Sequence, residues 1–369
     1  MPLITIIIGT RPEAIKLAPV IKAFSNSKNF NVRIVLTGQH QEMVYQVLEL
    51  FNINANYDLK LMSHDQTLTH ITCSSLIGLE EDFKNKKPDL VFIQGDTSSA
   101  FSGCLAAFYN KIPIAHVEAG LRTDDKSNPF PEEVNRRLIS QIADLHFAPT
   151  EKAKLNLINS GIKENIFVTG NTVIDALMSI SDNVKLPKIN NLNWGIGKII
   201  LVTVHRRENW GINLDNIVMA IQQIAQEIKD IYFIIPMHKN KKVRSIFKSK
   251  LRNEKNIFLI EPLNYDQQIA AIKGSYLVMT DSGGIQEEVP SLGKPVLILR
   301  SNTEREEAIV AGAAKLIGTR TETIIRSVKE LINDKKIYER MSKSINPFGD
   351  GKACERILEH SLQYLNSKK

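Results

Sequence analysis

The segment Leu3-Ile-Thr-Ile-Ile-Ile8, which runs directly into Gly9-Thr-Arg-Pro-Glu-Ala-Ile-Lys16, decides the fold class. Its first part is a continuous apolar run rich in β-branched residues, which is typical of a parallel strand covered on both faces. Its second part predicts a helix that begins at the carboxyl edge of the sheet, with Pro12 in the first helical position and Thr10 or Arg11 as the cap. A strand followed at once by a helix is the repeating unit of doubly wound α/β domains.

The same strand–helix pattern recurs along the chain. Segments such as Leu214–Lys229 and Thr321–Asp334 have helical periodicity. The pattern occurs twice, and the polar stretch Asn183–Gly197 separates the two halves, with a crossing point anywhere from about residue 170. A cleft between two such domains is the expected ligand site. Strands are predicted at residues 3–8, 32–37, 88–94, 112–117, 143–148, 165–169, 198–204, 231–236, 256–260, 276–281, 295–299 and 313–316.

Composition agrees with a globular two-domain protein of 369 residues, with 43% hydrophobic and 24% charged residues and a net charge of +7. The densest basic stretch, His238–Arg252, is interpreted as a solvated helix face rather than a nucleic-acid site, because no aromatic residues alternate with its charges. Three scattered cysteines argue against a disulfide framework and against a zinc site. No apolar run reaches the roughly 18 residues of a membrane span, and the first is too short for a signal sequence. The sequence therefore predicts a soluble cytoplasmic protein without nucleic-acid or membrane partners.

Three carboxylates lie where a parallel sheet does its chemistry. Asp96 and Glu118 each end an apolar run next to a glycine, and Glu132 opens a predicted helix. Acids at the carboxyl ends of parallel strands are well placed to move protons on a ligand. Two of them also have a structural interpretation: Asp96 as the cap of the following helix, and Glu132 as an ordinary acid of a first helical turn. The two-residue period of a strand puts Glu118 on the same side as His116.

The second half carries a glycine-rich turn between a strand and a helix. The strand Tyr276-Leu-Val-Met-Thr-Asp281 is followed by Ser282-Gly-Gly-Ile-Gln-Glu-Glu288. Glu287 and Glu288 are expected in the first helical turns, where they either complement the helix dipole or accept hydrogen bonds from a ribose. Many ordinary strand–helix turns use two glycines, but glycines also let backbone N–H groups approach an anion. The turn therefore predicts a diphosphate site at Ser282, Gly283 and Gly284.

Cations follow strands at the same predicted edges. Arg11 lies in the turn after the first strand and Lys16 lies on the second helical turn, and ordinary surface positions are the alternative for both. His205 ends a strand beside two arginines, which favours contact with a phosphate over the usual role of a lone core histidine. Arg305 and His238 also follow strands, where the pattern alone says less.

Eight motifs resemble, in order and over essentially the whole chain, the non-hydrolysing UDP-N-acetylglucosamine 2-epimerases of bacteria. This resemblance implies two Rossmann-like domains of the glycosyltransferase-B type facing a cleft. Residues 1–170 and a returning C-terminal helix in 352–369 would form the first domain, and residues 171–351 the second. The motifs are Gly9-Thr-Arg-Pro-Glu-Ala-Ile-Lys16, Gln94-Gly-Asp96, His116-Val-Glu-Ala-Gly-Leu-Arg122, Pro131-Glu-Glu-Val-Asn-Arg136, Gly170-Asn-Thr-Val-Ile-Asp175, His205-Arg-Arg-Glu208, Asp281-Ser-Gly-Gly-Ile-Gln-Glu-Glu288 and Asn346-Pro-Phe-Gly-Asp-Gly351.

The resemblance also implies a reaction, the interconversion of UDP-GlcNAc and UDP-ManNAc for surface polysaccharide synthesis. UDP would leave by anti elimination, giving a 2-acetamidoglucal, and would then add back at C1 while C2 is protonated on the opposite face. No redox cofactor is implied, and a metal is dispensable if cations and backbone donors carry the diphosphate charge. The resemblance further suggests a homodimer. The implied roles are proton transfer by Asp96, Glu118 and Glu132, charge neutralisation on UDP by His205, Arg11 and Lys16, phosphate binding by Ser282, Gly283 and Gly284, ribose binding by Glu288, and nucleotide binding by Arg305.

Some bacterial relatives bind a second UDP-GlcNAc as an activator, partly through a Gln-His-x-Gln segment and a later arginine. Here Glu42 replaces the second glutamine, and Asp65 stands where the arginine would be. Two acids near a diphosphate would repel it, so the sequence argues against this mode of activation. The residues that still match the activator site are Gln39, Glu133, Arg206 and His238.

Three other functions remain compatible with the motifs. One is epimerisation of another UDP-2-acetamido sugar, such as UDP-N-acetyl-L-talosamine or its L-fucosamine counterpart. A second is hydrolytic epimerisation, which would release free ManNAc and UDP. A third is a non-catalytic UDP-sugar sensor, which needs the diphosphate turn but not the acids.

Overall fold

The computed structural model describes residues 1–39, 41–61, 66–123, 125–195, 197–238 and 240–368. They form two compact units, Met1–Ser179 with Phe348–Lys369, and Ile180–Pro347. Each unit is a parallel sheet with helices between its strands, which confirms the predicted doubly wound α/β class.

The first unit contains, in chain order, β1 (Leu3–Ile8), α1 (Arg11–Asn26), β2 (Asn31–Leu36), α2 (Gln41–Leu50), β3 (Tyr57–Asp58), α3 (Leu68–Asn85), β4 (Leu90–Gln94), α4 (Ser98–Tyr109), β5 (Ile114–Val117), α5 (Glu132–Ile142), β6 (Leu145–Ala148), α6 (Glu151–Asn159), β7 (Ile166–Val168) and α7 (Thr172–Ser181), whose last two residues fall in the second unit. The sequence analysis missed β3, because a two-residue strand shows no periodicity.

The second unit contains β8 (Lys198–Thr203), α8 (Ile212–Glu227), β9 (Ile231–Pro236), α9 (Lys241–Leu251), β10 (Ile257–Ile260), α10 (Tyr265–Gly274), β11 (Leu277–Thr280), α11 (Gly283–Glu288), β12 (Val296–Ile298), α12 (Glu306–Val310), β13 (Ala314–Leu316), α13 (Thr321–Asn333) and α14 (Lys335–Ser342). The last helix, α15 (Ala353–Ser367), belongs to the first unit, where it packs on α1.

The strand order positions the candidate site in each unit. The first sheet runs β3-β2-β1-β4-β5-β6-β7 and the second runs β10-β9-β8-β11-β12-β13. The winding direction therefore reverses between β1 and β4, and again between β8 and β11. Ligands of open α/β sheets bind at the carboxyl ends of the strands beside this reversal.

Burial explains why the strands read as continuous apolar runs. All five residues of β4 are buried, as are five of the six residues in β1 and in β8, because helices cover both faces. The basic stretch lies on α9, which buries Val243, Phe247 and Leu251 and leaves Lys248 and Lys250 exposed, as expected of a solvated face. Within the described residues, no helix combines the length and apolar character needed to cross a membrane.

The first unit extends beyond residue 170 because most of α7 packs within it. The Asp175 carboxylate accepts hydrogen bonds from the backbone N–H groups of Ala353, at 3.2 Å, and Cys354, at 2.9 Å. The N–H group of Asn171 donates to the carbonyl oxygen of Phe348 at 2.6 Å. These contacts place the division between the units at 179/180 and 347/348, rather than at 170/171 and 351/352.

Candidate functional site

Glu118 lies just beyond the end of β5, in a backbone conformation that few side chains adopt. Its φ is 66°, in the left-handed region. The alternation that would put it on the same side as His116 therefore ends at Val117, and that expectation was wrong. Backbone strain of this kind persists where the surroundings fix it, often at functional sites.

Three side chains donate hydrogen bonds to the Glu118 carboxylate. Lys16 of α1 forms a buried ion pair with it, Gln94 at the end of β4 bonds its other oxygen, and the Asn171 amide lies 3.0 Å away. The whole Lys16 residue is only 7% exposed, which excludes the surface position considered for it. Donors of this kind favour the ionised form of a carboxyl group, which is the form that accepts a proton.

Asp96 follows β4, and two residues of α5 bind its side chain and its backbone. Its carboxylate lies 2.6 Å from an Arg136 guanidinium nitrogen, and its carbonyl oxygen accepts a hydrogen bond of 2.9 Å from the Asn135 amide. The cap of α4 is Thr97, whose hydroxyl accepts the Ala100 N–H at 3.0 Å, so the capping role considered for Asp96 was wrong. Because Arg136 lies on α5, its ion pair holds α5 against the edge.

Glu132 is the first residue of α5 and is partly exposed. It stands one helical turn before Arg136, whose side chain reaches Asp96. The structure therefore brings the start of α5 to the edge that carries the other two acids. The position also suits an ordinary acid of a first helical turn, so both interpretations of Glu132 stay open.

A buried acid, Glu13, joins the turn after β1 to the turn after β4. Its carboxylate accepts hydrogen bonds from the N–H groups of Gly9, at 2.5 Å, and Thr10, at 3.1 Å, and from the Thr97 hydroxyl. Burial raises the pKa of Glu13 to about 7, although these hydrogen bonds act in the opposite direction. The sequence analysis missed Glu13, but Thr-x-x-Glu at a helix start is the capping-box signature that identifies it. Arg11, not Pro12, is the first residue of α1.

His116, on β5, forms a hydrogen bond with the turn that leads to Asp96. Its ring is fully buried, and Nε2 lies 2.8 Å from the carbonyl oxygen of Gly95, the residue before Asp96. Burial lowers the pKa of His116 to about 3, so the ring is neutral and Nε2–H donates this bond. Gly95 itself has a φ of 69°, which favours glycine.

In the second unit, His205 follows β8 and faces Asp281 at the end of β11. His205 Nδ1 lies 3.2 Å from an Asp281 carboxylate oxygen, and the histidine side chain is 40% exposed while the aspartate is fully buried. The Asp281 carboxylate also accepts the backbone N–H groups of His205 and Arg206 and the Asn209 amide. The sequence analysis quoted Asp281 within a motif but gave it no role.

The two glycines after Asp281 differ in what surrounds them. A Cβ atom on Gly283 would lie 3.1 Å from the Arg305 guanidinium carbon, so glycine there allows Arg305 to approach. A Cβ atom on Gly284 would meet no described atom within 4 Å. The Ser282 N–H donates to the Thr280 hydroxyl at 2.9 Å. The backbone donors suited to an anion are therefore those of Gly283 and Gly284.

Glu287 and Glu288 are the last two residues of the six-residue α11, so neither lies in its first turn, where the helix dipole acts. The helix-dipole interpretation for them was wrong. Both are buried, and Glu287 accepts a hydrogen bond of 2.9 Å from Arg305 Nε. This contact fixes the guanidinium that packs against Gly283.

Glu304 is a further acid that pattern alone did not reveal. It accepts hydrogen bonds from Arg305, at 2.5 Å, and from Arg300, at 2.9 Å, and lies 3.8 Å from Arg206. Burial would raise the pKa of Glu304, but the charges of Arg305 and Arg300 outweigh it and hold this pKa well below the usual range. Arg305 is thus held between two carboxylates.

Two of the four residues that match the relatives' activator site lie in the first unit and have internal partners. The Ser99 hydroxyl donates to the Gln39 side-chain oxygen at 2.6 Å. Glu133 is fully buried and accepts hydrogen bonds from the Thr123 N–H, at 3.0 Å, and from Arg137, at 2.6 Å. Glu42 is exposed in the first turn of α2, and Asp65 lies outside the described residues.

The other two of those four residues, Arg206 and His238, lie in the second unit. The His238 ring stacks on the His205 ring, with 5.9 Å between the ring centroids. The Arg206 side chain is 28% exposed and points a guanidinium nitrogen towards Glu304. Both residues therefore border His205, while Gln39 and Glu133 border the acid-bearing edge of the first unit.

Comparison with known proteins agrees with this arrangement. The sequence profile of the UDP-N-acetylglucosamine 2-epimerase family matches residues 22–361. The UDP-N-acetylglucosamine 2-epimerase of Campylobacter jejuni is 47% identical over 377 residues, covering 99% of this chain and 98% of that protein. The chain also superposes on two solved structures. The UDP-GlcNAc 2-epimerase from Neisseria meningitidis bound to UDP-GlcNAc has a TM-score of 0.92 and 44% identity over 98% of this chain and 100% of that one. Staphylococcus aureus MnaA in its co-structure with UDP has a TM-score of 0.90 and 47% identity over 99% of this chain and 97% of that one. The resemblance predicted from the motifs is confirmed, and the chain belongs to the UDP-N-acetylglucosamine 2-epimerase family.

Proposed function

We propose that the protein interconverts UDP-GlcNAc and UDP-ManNAc by elimination and re-addition of UDP. A carboxylate removes the C2 proton while the C1–O bond breaks and UDP leaves with the electron pair, which yields 2-acetamidoglucal. UDP then adds back at C1, and an acid protonates the opposite face of C2. The observation that carries the proposal is the buried Glu118 carboxylate, held by Lys16, Gln94 and Asn171 beside Asp96 at a sheet edge.

The proton transfers are assigned to Glu118, Asp96 and Glu132. Epimerisation handles protons on both faces of C2, which one carboxyl group cannot easily do. The three acids come from two adjacent strand ends and one helix start, so they can approach a sugar ring from more than one side. Arg136 fixes Asp96 through a 2.6 Å ion pair, which supports a defined position for that carboxylate. Removing a positioned acid or base of this kind slows a reaction about 10²- to 10⁴-fold.

The departing diphosphate is assigned to the second unit, with help from Arg11 and Lys16. Gly283 and Gly284 supply backbone donors at the start of α11, and Ser282 supplies a hydroxyl. His205 ends the neighbouring strand and offers a ring nitrogen to the developing charge. Glu288 is proposed to bind the ribose. Stabilising charge as it develops on a leaving group is among the largest contributions that a protein makes to catalysis.

Incubating the protein with UDP-GlcNAc in D₂O tests the reaction. We expect UDP-ManNAc to form with deuterium at C2, because the proton that a carboxylate removes exchanges with solvent before re-addition. The same reaction with Glu118→Gln is the control. Complete retention of the original hydrogen would contradict proton exchange. Stoichiometric release of free UDP would indicate hydrolytic epimerisation, and UDP-sugar binding without turnover would indicate a sensor.

A panel of UDP-2-acetamido sugars tests substrate identity. We expect UDP-GlcNAc and UDP-ManNAc to turn over fastest, since the Campylobacter jejuni relative and the Neisseria meningitidis structure are both UDP-GlcNAc 2-epimerases. Faster turnover of an L-talosamine or L-fucosamine derivative would contradict this choice. The enzyme would act in the cytoplasm. Its product would be a precursor for the synthesis of a surface polysaccharide.

We also propose a homodimer. The adjacent helices α3, α4 and α5 expose large apolar side chains, including Ile77 at 65%, Phe108 at 55% and Leu138 at 44%. Clusters of exposed apolar side chains commonly mark protein–protein contacts. Light scattering on the purified protein should give twice the mass of the 41.5 kDa chain, and a monomeric mass would contradict the proposal.

A further inference from the structure

Asp281 is buried at the end of β11, and every contact that the structure records for its carboxylate comes from a donor. One oxygen lies 3.2 Å from His205 Nδ1. The other accepts the Arg206 N–H at 2.9 Å and the Asn209 amide at 3.0 Å. The His205 N–H reaches both oxygens, at 3.1 and 3.0 Å. The carboxylate therefore fixes both the turn after β8 and the histidine ring on that turn.

This geometry selects one form of the His205 ring. An ionised carboxylate only accepts hydrogen bonds, so the ring nitrogen beside it must carry a hydrogen. In neutral His205 the proton then sits on Nδ1, which leaves Nε2 as the nitrogen that binds or releases a second proton. An unconstrained histidine side chain in water prefers the opposite form, with the proton on Nε2.

The groups around His205 shift the pKa of its ring in opposite directions, and Asp281 is the one that raises it. Burial lowers the pKa of His205, the Asp281 charge acts to raise it, and Arg206 and His238 act to lower it. His238 stacks on the ring at 5.9 Å, and Arg206 is the next residue in the chain. Removing the Asp281 charge would leave burial and two basic neighbours to disfavour the imidazolium.

We propose that Asp281 is a positioning residue that holds His205 with a proton on Nδ1, so that Nε2 can take up a second proton and the resulting imidazolium can donate a hydrogen bond from Nε2 to the departing diphosphate. The inference rests on the proposed function, since it concerns how His205 meets a UDP leaving group. No bond is made or broken at Asp281. It acts through the orientation and the proton affinity of the ring.

The histidine tautomer can be measured without reference to activity. We would label the histidines with ¹⁵N, assign His205 by its loss in His205→Gln, and record long-range ¹H–¹⁵N spectra above the pKa of the ring. We expect the Nδ1–H form in the wild-type protein. A predominant Nε2–H form would overturn the inference, even if the protein epimerises UDP-GlcNAc. Absence of epimerisation with the Nδ1–H form present would instead contradict the proposed function.

Asp281→Asn should invert the tautomer. The N–H groups of His205 and Arg206 can only donate, so they draw the single oxygen of the new side chain and turn its NH₂ group towards His205 Nδ1. His205 would then carry its proton on Nε2. Loss of the acidic partner of a metal-ligating histidine costs about 10- to 100-fold in metal affinity or activity, which sets the scale expected for His205. We expect a fall of that size in kcat and less than about a threefold change in KM.

Asn209→Ala is the matched control, because it removes one donor to Asp281 and leaves the contact with His205 intact. We expect the Nδ1–H form and a kcat within about threefold of wild type. If folded Asp281→Asn keeps wild-type kcat, the inference is overturned. If Asp281→Asn does not fold, the tautomer of the wild-type protein decides the question alone.

Discussion

Lys16 of α1 and Glu118 after β5 form an ion pair in which the side chains are only 9% and 7% exposed. The pair joins residues 102 positions apart at the edge that carries Asp96. A buried charge pair is weak evidence for stability, because desolvation offsets most of the attraction. Its position at the carboxyl edge of the sheet, beside the reversal in strand order, favours a catalytic purpose.

Glu118→Gln should abolish most activity, and breaking the buried pair with Lys16 should also lower stability by about 3 to 5 kcal/mol. The amide keeps the size of the side chain but cannot accept a proton from C2, so kcat should fall about 10²- to 10⁴-fold. Steady-state rates with UDP-GlcNAc, together with thermal unfolding, provide the measurement. Glu151→Gln, at a side chain that is 75% exposed on α6, is the control. A Glu118→Gln protein with kcat within threefold of wild type would remove Glu118 from the mechanism.

Glu13 should make folding stability depend on pH near neutrality. Its pKa is about 7 in the folded protein against an ordinary value of 4.5. Between these values the folded state holds a proton that the unfolded state has lost, so this contribution to stability is complete below pH 4.5 and disappears as pH rises through 7. The shift corresponds to a loss on the order of 3 kcal/mol.

Urea unfolding of wild type and Glu13→Gln at pH 5 and pH 8 measures that loss. The difference in free energy of unfolding between the two proteins should fall from pH 5 to pH 8. Buried His116 and His146, whose pKa values are lowered to about 3 and about 4, give the opposite slope below pH 6.5, and the subtraction cancels them. A difference that stays constant between the two pH values would contradict a raised pKa at Glu13.

Glu304→Gln should destabilise the second unit strongly. The substitution leaves the buried guanidinium groups of Arg300 and Arg305 without the charge that they share. Breaking a buried pair costs about 3 to 5 kcal/mol when the remaining charge has no other partner, and we expect a loss near the lower end because Arg300 keeps Glu208 and Arg305 keeps Glu287. Glu330→Gln breaks the Lys315 pair, whose side chains are 46% and 35% exposed, and should cost about 1 kcal/mol or less. Equal losses of unfolding free energy in the two variants would show that the arginines do not depend on Glu304.

The protein should not need a second UDP-GlcNAc for activity. Glu42 and Asp65 replace residues that relatives use to bind an activator, and their charge opposes a diphosphate. Starting from UDP-ManNAc alone, we expect product to form linearly from the first time point. A lag that added UDP-GlcNAc removes would contradict this expectation. Glu42→Gln tests whether the charge is responsible, because it restores the amide without changing the size of the side chain.

The fold and the site differ in how far the sequence predicts them. Apolar runs located twelve strands, because burial on both faces leaves a signal in almost every residue of the central strands, such as β1, β4 and β8. The motif residues Asp96 and Glu118 were predicted together, because the carboxyl ends of parallel strands meet at one edge. Their partners were not predicted, since Arg136 and Asn171 come from distant elements whose side-chain directions depend on packing.

Local backbone form was the least predictable feature. Glu118 adopts a left-handed backbone conformation, which breaks the two-residue period of the strand. The residue type does not predict this conformation. The buried acid Glu304 became visible only with its partners, whereas the capping-box spacing that marks Glu13 was present in the sequence.

Because α15 belongs to the first unit, that unit can complete its fold only after the second unit has been synthesised. Asp175 finds its backbone donors 178 and 179 positions later, after the whole second unit has emerged. The second unit can therefore complete its fold as a continuous stretch of chain, whereas the first must hold an unfinished surface throughout that interval. A truncated transcript or a stalled ribosome would leave that surface, along α1 and α7, open to chaperones.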